Sequence, residues 1–142
     1  MINAEQSKTS PIFYKYTISG DPIPWMRPRV KGRNFYDGQA QLKLIKGIDL
    51  RNQLGERDPY STGLILIVIF YMPMPASWSA RKRQEMSGKP HISRPDFSNM
   101  LKFMEDLAVD VRILRDDCLI AEVNGRKVYD ENPRTEFIFQ EI

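Results

Sequence analysis

One stretch of the chain, residues 94–107, combines acidic, amide and basic side chains at spacings that support chemistry. It begins as a loop, because Pro95 disfavours a helical conformation for the residue before it. At about 100° per residue, the apolar residues that follow share one face, which predicts an amphipathic helix over 97–111. The polar groups lie together near the opposite side: Asp96, Asn99, Lys102 and Asp106. One face of this helix is therefore expected to join the core, and the other to present reactive groups.

A pair of acidic residues, Asp116 and Asp117, follows the predicted helix. Carboxylates gathered in a mildly basic protein suggest a divalent cation, because without one they would raise one another's pKa. The chain has a single histidine, His91, which argues against a His-rich zinc site or a Ser-His-Asp triad. A metal here would be bound mainly by oxygen, which favours magnesium or manganese over zinc.

The same residues also have simpler structural explanations. Asp96 and Ser98 are good helix caps, and adjacent aspartates are common in turns. Lys102 and Asp106 have the spacing of a surface ion pair on a helix. Nothing in the local spacing shows that Asp96 meets Asp117, so from the residues alone both interpretations stay open.

The segment 20–33 is rich in proline and basic residues. Its prolines exclude regular secondary structure and predict an extended loop. The loop carries four basic residues beside Trp25, with no acidic residue among them: Arg27, Arg29, Lys31 and Arg33. Closely spaced guanidinium groups bind phosphate oxygens, which predicts a phosphate-contacting arm; the alternative is a solvated basic loop.

A second basic cluster lies within a short helix predicted over 77–86: Arg81, Lys82 and Arg83. It has the same two interpretations, phosphate contact or a solvated helix face. Residues 1–10 carry no clear pattern and are expected to form a flexible lead-in to the domain.

Strands and helices alternate along the rest of the chain. Hydrophobic periodicity predicts strands over 12–19, 34–36, 64–71, 119–123, 126–129 and 135–139. The apolar run at 64–71 predicts a central strand that is buried on both faces. Asn124-Gly125 predicts a turn or a bulge, after which the strand continues or its partner begins.

A helix is predicted over residues 39–53. Its apolar spacing predicts a buried face with Leu42, Ile45 and Ile48, and an exposed face with Lys43 and Lys46. Gly47 lies inside this helix and lowers its intrinsic propensity by about 1 kcal/mol.

The length of 142 residues suits one domain with a hydrophobic core, and the sequence has no internal repeat. No apolar run is long enough to cross a bilayer, and the polar N-terminus argues against a signal peptide. The single cysteine, Cys118, excludes an internal disulfide and fits a reducing compartment, so a cytoplasmic location is expected. The net charge of +3 is only mildly basic, so its distribution says more than its sum.

Several of these segments, in this order, resemble the RusA family of Holliday junction resolvases, small endodeoxyribonucleases common in prophages. The likeness begins at Gly-Asp-Pro-Ile-Pro-Trp-Met-Arg-Pro, residues 20–28, where the family has Gly-x-Pro-x-Pro-x-x-Arg-Pro. It continues through the apolar strand that ends in Met-Pro-Met-Pro and the basic 77–86 segment. It is densest at Arg-Pro-Asp-x-Ser-Asn-x-x-Lys, residues 94–102, and then at Asp116-Asp117 and Lys127. The family pattern there is Pro-Asp-x-Asp-Asn-x-x-Lys, followed by a double aspartate and a lysine.

The resemblance implies an α/β (α+β) fold, with one domain over residues 1–142 and a mixed β-sheet flanked by helices. It implies a homodimer that uses Mg²⁺, or Mn²⁺ as a substitute, to cleave four-way DNA junctions in recombination and repair. A two-fold dimer suits a two-fold junction, because it presents two equivalent sites.

The resemblance also assigns roles to individual residues. Catalysis would depend on Asp96, Asp117 and Lys102, and the metal would be held by Asp96 and Asp117 with help from Ser98 and Asp116. The DNA-binding set would combine both basic clusters with the lysine of the last motif: Arg27, Arg29, Lys31, Arg33, Arg81, Lys82, Arg83 and Lys127.

The chain departs from the family pattern at Ser98, where the family typically has its second aspartate. A serine hydroxyl can ligate magnesium but contributes less to metal affinity than a carboxylate. Two hypotheses follow: a magnesium-dependent, structure-selective endodeoxyribonuclease, or a catalytically impaired or inactive protein that only binds branched DNA. A nuclease for flaps cannot be separated from the first by sequence, because phosphate contacts carry no junction code.

Overall fold

The computed structural model describes residues 13–142, apart from the side chains of residues 35 and 36. The lead-in expected at residues 1–10 and the first residue of the 12–19 strand lie outside the described residues. The elements are β1 (Lys15–Ser19), β2 (Arg29–Lys31), β3 (Asn34–Tyr36), α1 (Ala40–Leu54), β4 (Leu64–Met72), α2 (Ala80–Met86), α3 (Phe97–Asp110), a 3₁₀ turn (Asp117–Leu119), β5 (Ile120–Tyr129) and β6 (Arg134–Glu141).

Four strands form one mixed sheet in the order β1-β6-β4-β5. β6 pairs antiparallel with both β1 and β4, whereas β4 and β5 run parallel. Parallel neighbours need a long crossover connection, and the chain between β4 and β5 supplies it through α2 and α3. The remaining strands, β2 and β3, form a separate two-stranded hairpin. The mixed sheet and the α+β class are therefore confirmed.

β4 is the central strand, as predicted, but the prediction that both of its faces are buried is wrong. Its buried side chains alternate along the strand: Leu64, Leu66, Val68, Phe70 and Met72. They join core residues of α1 and α3, such as Leu50 and Met104, on one face of the sheet. On the opposite face Ile67 is 37% exposed. The continuous apolar run therefore reflects one covered face and one that is only partly covered.

The helix predicted at 39–53 is present as α1, but its predicted buried face is wrong. Ile45 and Ile48 are more than half exposed, and the buried residues of α1 are Gly47, Leu50 and Leu54. Gly47 provides the physical reason, because a Cβ there would lie only 3.2 Å from a methyl group of Val111. The glycine therefore lets α1 turn this side towards the end of α3.

The two lysines that were expected to point outwards bind other parts of the fold. Lys43 Nζ forms an ion pair with Asp37 Oδ2 at 3.0 Å. Lys46 Nζ donates to the carbonyl oxygen of Ser19 at 2.6 Å. Leu42 is partly buried against the core, which agrees with the prediction for that residue alone.

α3 has the amphipathic character that its sequence predicts. Its buried residues are Met100, Phe103, Met104, Leu107 and Ala108, and Val111 directly after the helix is buried as well. α1, α2 and α3 are too short or too polar to cross a bilayer, and no other helix within residues 13–142 meets that requirement.

Two irregular segments that were predicted are instead regular. Asn124-Gly125 is neither a turn nor a bulge but part of continuous β5, where Gly125 stands beside Val68. The prediction of an extended loop over 20–33 is only partly correct, because its last residues form part of the β2–β3 hairpin. This hairpin turns at Gly32, which has a φ of 64°. Only glycine adopts that left-handed conformation readily. Cys118 is exposed.

Candidate functional site

Asp96 occupies the N-cap position of α3, yet its carboxylate makes no capping hydrogen bond. The residue is exposed and lines a cavity of about 660 Å³ beside the end of β4, together with Asp21, Arg94 and Asn99. Ser98 is exposed in the first turn of α3. Helix capping therefore does not account for Asp96, and its carboxylate remains available at the positive end of the helix dipole.

The loop that leads into Asp96 is anchored to β5 by Lys127. Its Nζ donates hydrogen bonds to the carbonyl oxygens of Ser93, at 2.5 Å, and Pro95, at 2.7 Å. The backbone N–H of His91 donates to the carbonyl oxygen of Lys127 at 3.0 Å. β5 therefore determines where the segment before Asp96 lies.

His91 packs into this anchor and is buried, with its ring 4.8 Å from the ring of Tyr129. Burial lowers the pKa of His91, and the charge of Lys127 lowers it further. Its Nδ1 is buried without a hydrogen-bond partner. These observations assign His91 a neutral, packing role in the described structure.

A glycine lets α3 sit close to the sheet beside Asp96. A Cβ on Gly125 would lie 2.5 Å from Cζ of Phe97 and 2.9 Å from Cγ1 of Val68, so no larger residue fits without a shift. The ring of Phe97 meets the ring of Phe70 edge-on at 5.2 Å. Because Phe97 directly follows Asp96, this contact fixes the start of α3 against the sheet.

The proline-rich segment before β2, which carries Trp25, packs on the polar face of α3. The backbone N–H of Trp25 donates to the carbonyl oxygen of Asn99 at 2.9 Å. The Trp25 ring lies 5.2 Å from Nζ of Lys102, which is close enough for a cation–π interaction. Lys102 also pairs with Asp106 Oδ1 at 3.7 Å, as the simpler surface-pair explanation expects.

Gln39 holds the same segment from its other side. Its Oε1 accepts from the backbone N–H of Met26 at 3.0 Å, and its Nε2 donates to the carbonyl oxygen of Pro24 at 2.9 Å. Gln39 is only 5% exposed, so these two bonds satisfy a buried amide. We call residues 20–36 the basic arm; Gln39 and Asn99 attach its base to the domain.

Four carboxylates form what we call the acidic rim, beside the middle of α3 and the start of β5: Glu105, Asp106, Asp116 and Asp117. Burial raises the pKa of Glu105, and the nearby charge of Asp117 raises it further. The pKa of Asp117 is raised by its hydrogen bond with Asp116 and then by burial.

Asp116 has a structural role as well. It caps the 3₁₀ turn by accepting the backbone N–H of Cys118 at 3.1 Å, which lowers the pKa of Asp116. The turn that the double aspartate suggested is therefore present. Asp117 begins this turn and is exposed, so its side chain remains accessible.

Asp96 and three residues of the acidic rim, Asp106, Asp116 and Asp117, line different cavities. Because an α-helix rises about 1.5 Å per residue, Glu105 lies roughly 13 Å along the axis of α3 from Asp96. Within residues 13–142, no group of three or more His, Cys, Asp or Glu side chains is arranged to hold a metal ion. The structure does not bring Asp96 and Asp117 into one such group, and their joint role stays a prediction.

The predicted DNA-binding residues have different surroundings. Those on the basic arm are all exposed: Arg27, Arg29, Lys31 and Arg33. On α2, Arg81 pairs with Glu85 at 3.2 Å, and Lys82 Nζ lies 4.6 Å from the ring of Trp78. Arg83 donates to the carbonyl oxygens of Trp78 and Pro75, so it secures the start of α2.

Sequence reasoning missed two residues that build this site. The sequence pattern predicted Gln39 only as the first residue of a helix, and no local signal links its side chain to the backbone of Pro24. Gly125 did carry a signal, since a glycine within a strand pattern often marks a close approach of other groups.

The described structure thus has exposed basic side chains and exposed carboxylates on one mixed α+β domain. The sequence matches the profile of the family Endodeoxyribonuclease RusA over residues 20–138. It is also 30% identical over 137 residues to the Uncharacterized protein YqaN of Bacillus subtilis (strain 168), covering 90% of this chain and 96% of that protein. The chain belongs to the RusA family. Membership implies endodeoxyribonuclease activity that generally depends on a divalent metal, and binding to branched DNA junctions.

Proposed function

We propose that this protein is a magnesium-dependent, structure-selective endodeoxyribonuclease that resolves Holliday junctions during DNA recombination and repair. The observation that carries the proposal is the attachment of the basic arm to α3 through the bond between Trp25 and Asn99. This contact joins the base of the basic arm to the helix that carries Lys102 and follows Asp96, which supports a role for the arm in holding phosphates near these groups. Binding and cleavage groups would then act on the same stretch of DNA.

The donor chemistry supports a hard divalent cation. Burial raises the pKa of Glu105, and the charge of Asp117 raises it further. The pKa of Asp117 is raised by its hydrogen bond with Asp116, then by burial and by the charge of Asp116, and a cation would relieve the repulsion between these carboxylates. Mg²⁺ is typically held by one or two carboxylates, with remaining oxygens from water and phosphate. We assign Asp117 and Asp96 as the ligands in the DNA complex, with Asp116 and Ser98 assisting. Such an ion supplies a more acidic water and positive charge beside the phosphodiester.

The remaining residues act on the DNA directly. Lys102 would stabilise negative charge that develops on the phosphate or on the leaving oxygen. The exposed residues of the basic arm, with Arg81 and Lys82, would contact phosphates, so binding should weaken steeply as salt rises. Arg83 would contribute indirectly, because its guanidinium is bonded to two carbonyl oxygens at the start of α2.

The homodimer is part of the proposal, and the exposed face of α1 is its best interface. Leu44, Ile45 and Ile48 are each more than half exposed and form an apolar strip. Leu44 and Ile48 line a groove of about 550 Å³ between α1 and the end of α3, which is also lined by Arg51 and Asp110. A two-fold contact could therefore bury apolar side chains and pair opposite charges.

Analytical ultracentrifugation tests this interface. Ile48→Glu should give a folded monomer, whereas Ile92→Glu, at the 90% exposed position on the loop before Asp96, should remain dimeric. A dimeric Ile48→Glu variant would place the interface elsewhere.

The deciding experiment is cleavage of a synthetic four-way DNA junction with Mg²⁺ or Mn²⁺, by the wild-type chain and by Ser98→Asp. Cleavage by the wild type would show that serine is a tolerated ligand. Cleavage by Ser98→Asp alone would favour the second candidate function, a branched-DNA-binding protein whose site has lost a charge. The observation behind that candidate is the serine itself, since Ser98 faces solvent without a carboxylate to add to the metal site. Flap and linear substrates in the same assay would test junction selectivity.

A further inference from the structure

Lys127 has an unusual position for a DNA-contacting lysine. It belongs to β5, paired with Phe70 of β4, and its ammonium reaches across to the loop before α3. Two of the three hydrogens on Nζ are directed at the carbonyl oxygens of Ser93 and Pro95. A phosphate could therefore engage the ammonium only in competition with these two bonds.

The same residue also holds the start of this loop through its backbone. Its carbonyl oxygen accepts the N–H of His91 at 3.0 Å, while its side chain binds the carbonyls of Ser93 and Pro95. Lys127 thus contacts the loop at its beginning, middle and end. Charge-assisted hydrogen bonds of this kind are roughly twice as strong as neutral ones, so the loop has little freedom while the ammonium is present.

The next residue after this loop is Asp96. Its carboxylate has no capping hydrogen bond of its own, so its direction is determined by the backbone that carries it. That backbone is fixed by Lys127 before Asp96 and by the seating of Phe97 on Gly125 after it. Nothing else in the described contacts orients the carboxylate.

We propose that Lys127 is a positioning residue for the cleavage site: its ammonium fixes the loop that aims the Asp96 carboxylate. The inference rests on the proposed nuclease function, because it assigns a cause to the geometry of a residue in that site. It differs from the role expected from the sequence, in which Lys127 contacts DNA phosphate. The two roles predict opposite patterns of binding and cleavage.

Lys127→Met separates them, because methionine has a similar length and no donor. Under the positioning role, single-turnover cleavage at saturating junction should fall about 100-fold, as a displacement of about 1 Å in a site can cause. Junction affinity without metal should stay within about twofold, and the slope of log K against log salt should not change. The Mn²⁺ concentration needed for half-maximal cleavage should rise, because one ligand is misdirected.

Lys127→Arg is the rescue variant. A guanidinium keeps the charge and can donate to both carbonyl oxygens, so it should recover a large part of the lost cleavage rate. Lys89→Met is the matched control: it removes an exposed lysine from the same connection and should leave cleavage unchanged. Hydrogen–deuterium exchange in residues 91–99 should increase in Lys127→Met and remain normal in the control.

The contrary pattern would overturn the inference. If Lys127→Met lowers junction affinity and reduces the salt slope by about 0.9, while saturated cleavage stays normal, Lys127 is a phosphate contact. If Lys127→Met does not fold, Lys127→Ala replaces it, and equal cleavage by Lys127→Ala and Lys127→Arg would contradict positioning, because alanine has no donor. A wild-type chain that neither binds nor cuts the junction would instead refute the proposed function.

Discussion

The two acidic regions of the site are held in opposite ways. Around Asp96, backbone and aromatic contacts fix the chain: Lys127 bonds the preceding loop, Phe97 rests on Gly125, and Trp25 bonds the first turn of α3. The acidic rim has few such contacts. Burial and then the charge of Asp117 raise the pKa of Glu105, and the hydrogen bond with Asp116 and then burial raise the pKa of Asp117. The chain around Asp96 is geometrically defined, whereas the acidic rim gathers four carboxylates, of which Asp106 pairs with Lys102.

This difference indicates how the work is divided. The negative charge of the acidic rim would attract a cation. The fixed N-terminus of α3 would orient the Asp96 carboxylate on the side of the helix where the basic arm is attached. Metal affinity should therefore depend mostly on the rim, and precise geometry mostly on the contacts around Asp96. Each of the following predictions changes one side of this comparison.

The largest effect is expected from Asp117→Asn. Replacing the carboxylate by an amide keeps the shape of the side chain but removes its charge. The rate of junction cleavage should therefore fall by at least about 100-fold. Metal-free junction binding should be unchanged in a gel-shift titration, since no phosphate contact is removed. Mn²⁺ binding measured by calorimetry should weaken more than in Asp96→Asn.

Asp58→Asn provides the control, because it changes one exposed carboxylate far along the chain from either region. If Asp117→Asn folds normally but no longer binds the junction, the separation of binding from cleavage is incorrect. If Asp96→Asn weakens metal binding more strongly than Asp117→Asn, the cation is bound mainly at the N-terminus of α3 and not at the acidic rim.

Gly125→Ala should damage the well-ordered region. The new Cβ would meet the Phe97 ring, and forcing extra volume into a packed site costs about 1–3 kcal/mol in the free energy of unfolding. Cleavage should fall as well, because Phe97 follows Asp96. Thermal unfolding compared with Gly63→Ala checks this, since a Cβ at Gly63 makes only an ordinary 3.6 Å contact with Ile142. Equal stability of the two variants would show that Phe97 relaxes freely.

The sequence predicted the buried face of α3 and the positions of most strands along the chain, because these follow from local periodicity. The sequence could not predict which side of α1 is buried. The side that carries Gly47 faces the core because the glycine allows a close approach to Val111, and Ile45 and Ile48 are left exposed. The bonds of Gln39 to Pro24 and Met26 were equally hidden, because they depend on tertiary folding. The placement of Asp96 in one cavity and of Asp116 and Asp117 in another was hidden for the same reason.

Gln39→Leu should release the basic arm from the domain. The change leaves the N–H of Met26 and the carbonyl of Pro24 without their partner, at a cost of about 1–3 kcal/mol in the free energy of unfolding. Junction affinity should fall several-fold, measured by fluorescence anisotropy, because the arm's charges are no longer held beside α3. Gln41→Leu, at an exposed position of α1, should change neither quantity. An unchanged affinity in Gln39→Leu would show that the arm orders itself on DNA.

The smallest effect concerns His91, whose burial lowers its pKa below the ordinary value of 6.5. The unfolded chain takes up a proton near pH 6.5, whereas the folded chain does so only at lower pH. Its contribution to stability is therefore complete above pH 6.5 and is lost as the pH falls through the lowered value. Chemical denaturation should show wild-type stability declining more steeply below pH 6.5 than that of His91→Phe.

Phenylalanine is the matched replacement, because it preserves the ring packed against Tyr129 and removes only the titrating nitrogens. Lys127 is the charged neighbour that opposes protonation of His91, so Lys127→Met should weaken the pH dependence without abolishing it. Identical pH profiles for the wild type and His91→Phe would mean that the imidazole is solvated in solution. The anchor of the Asp96 loop would then be looser than the structure indicates, and the contrast between the two acidic regions would be correspondingly smaller.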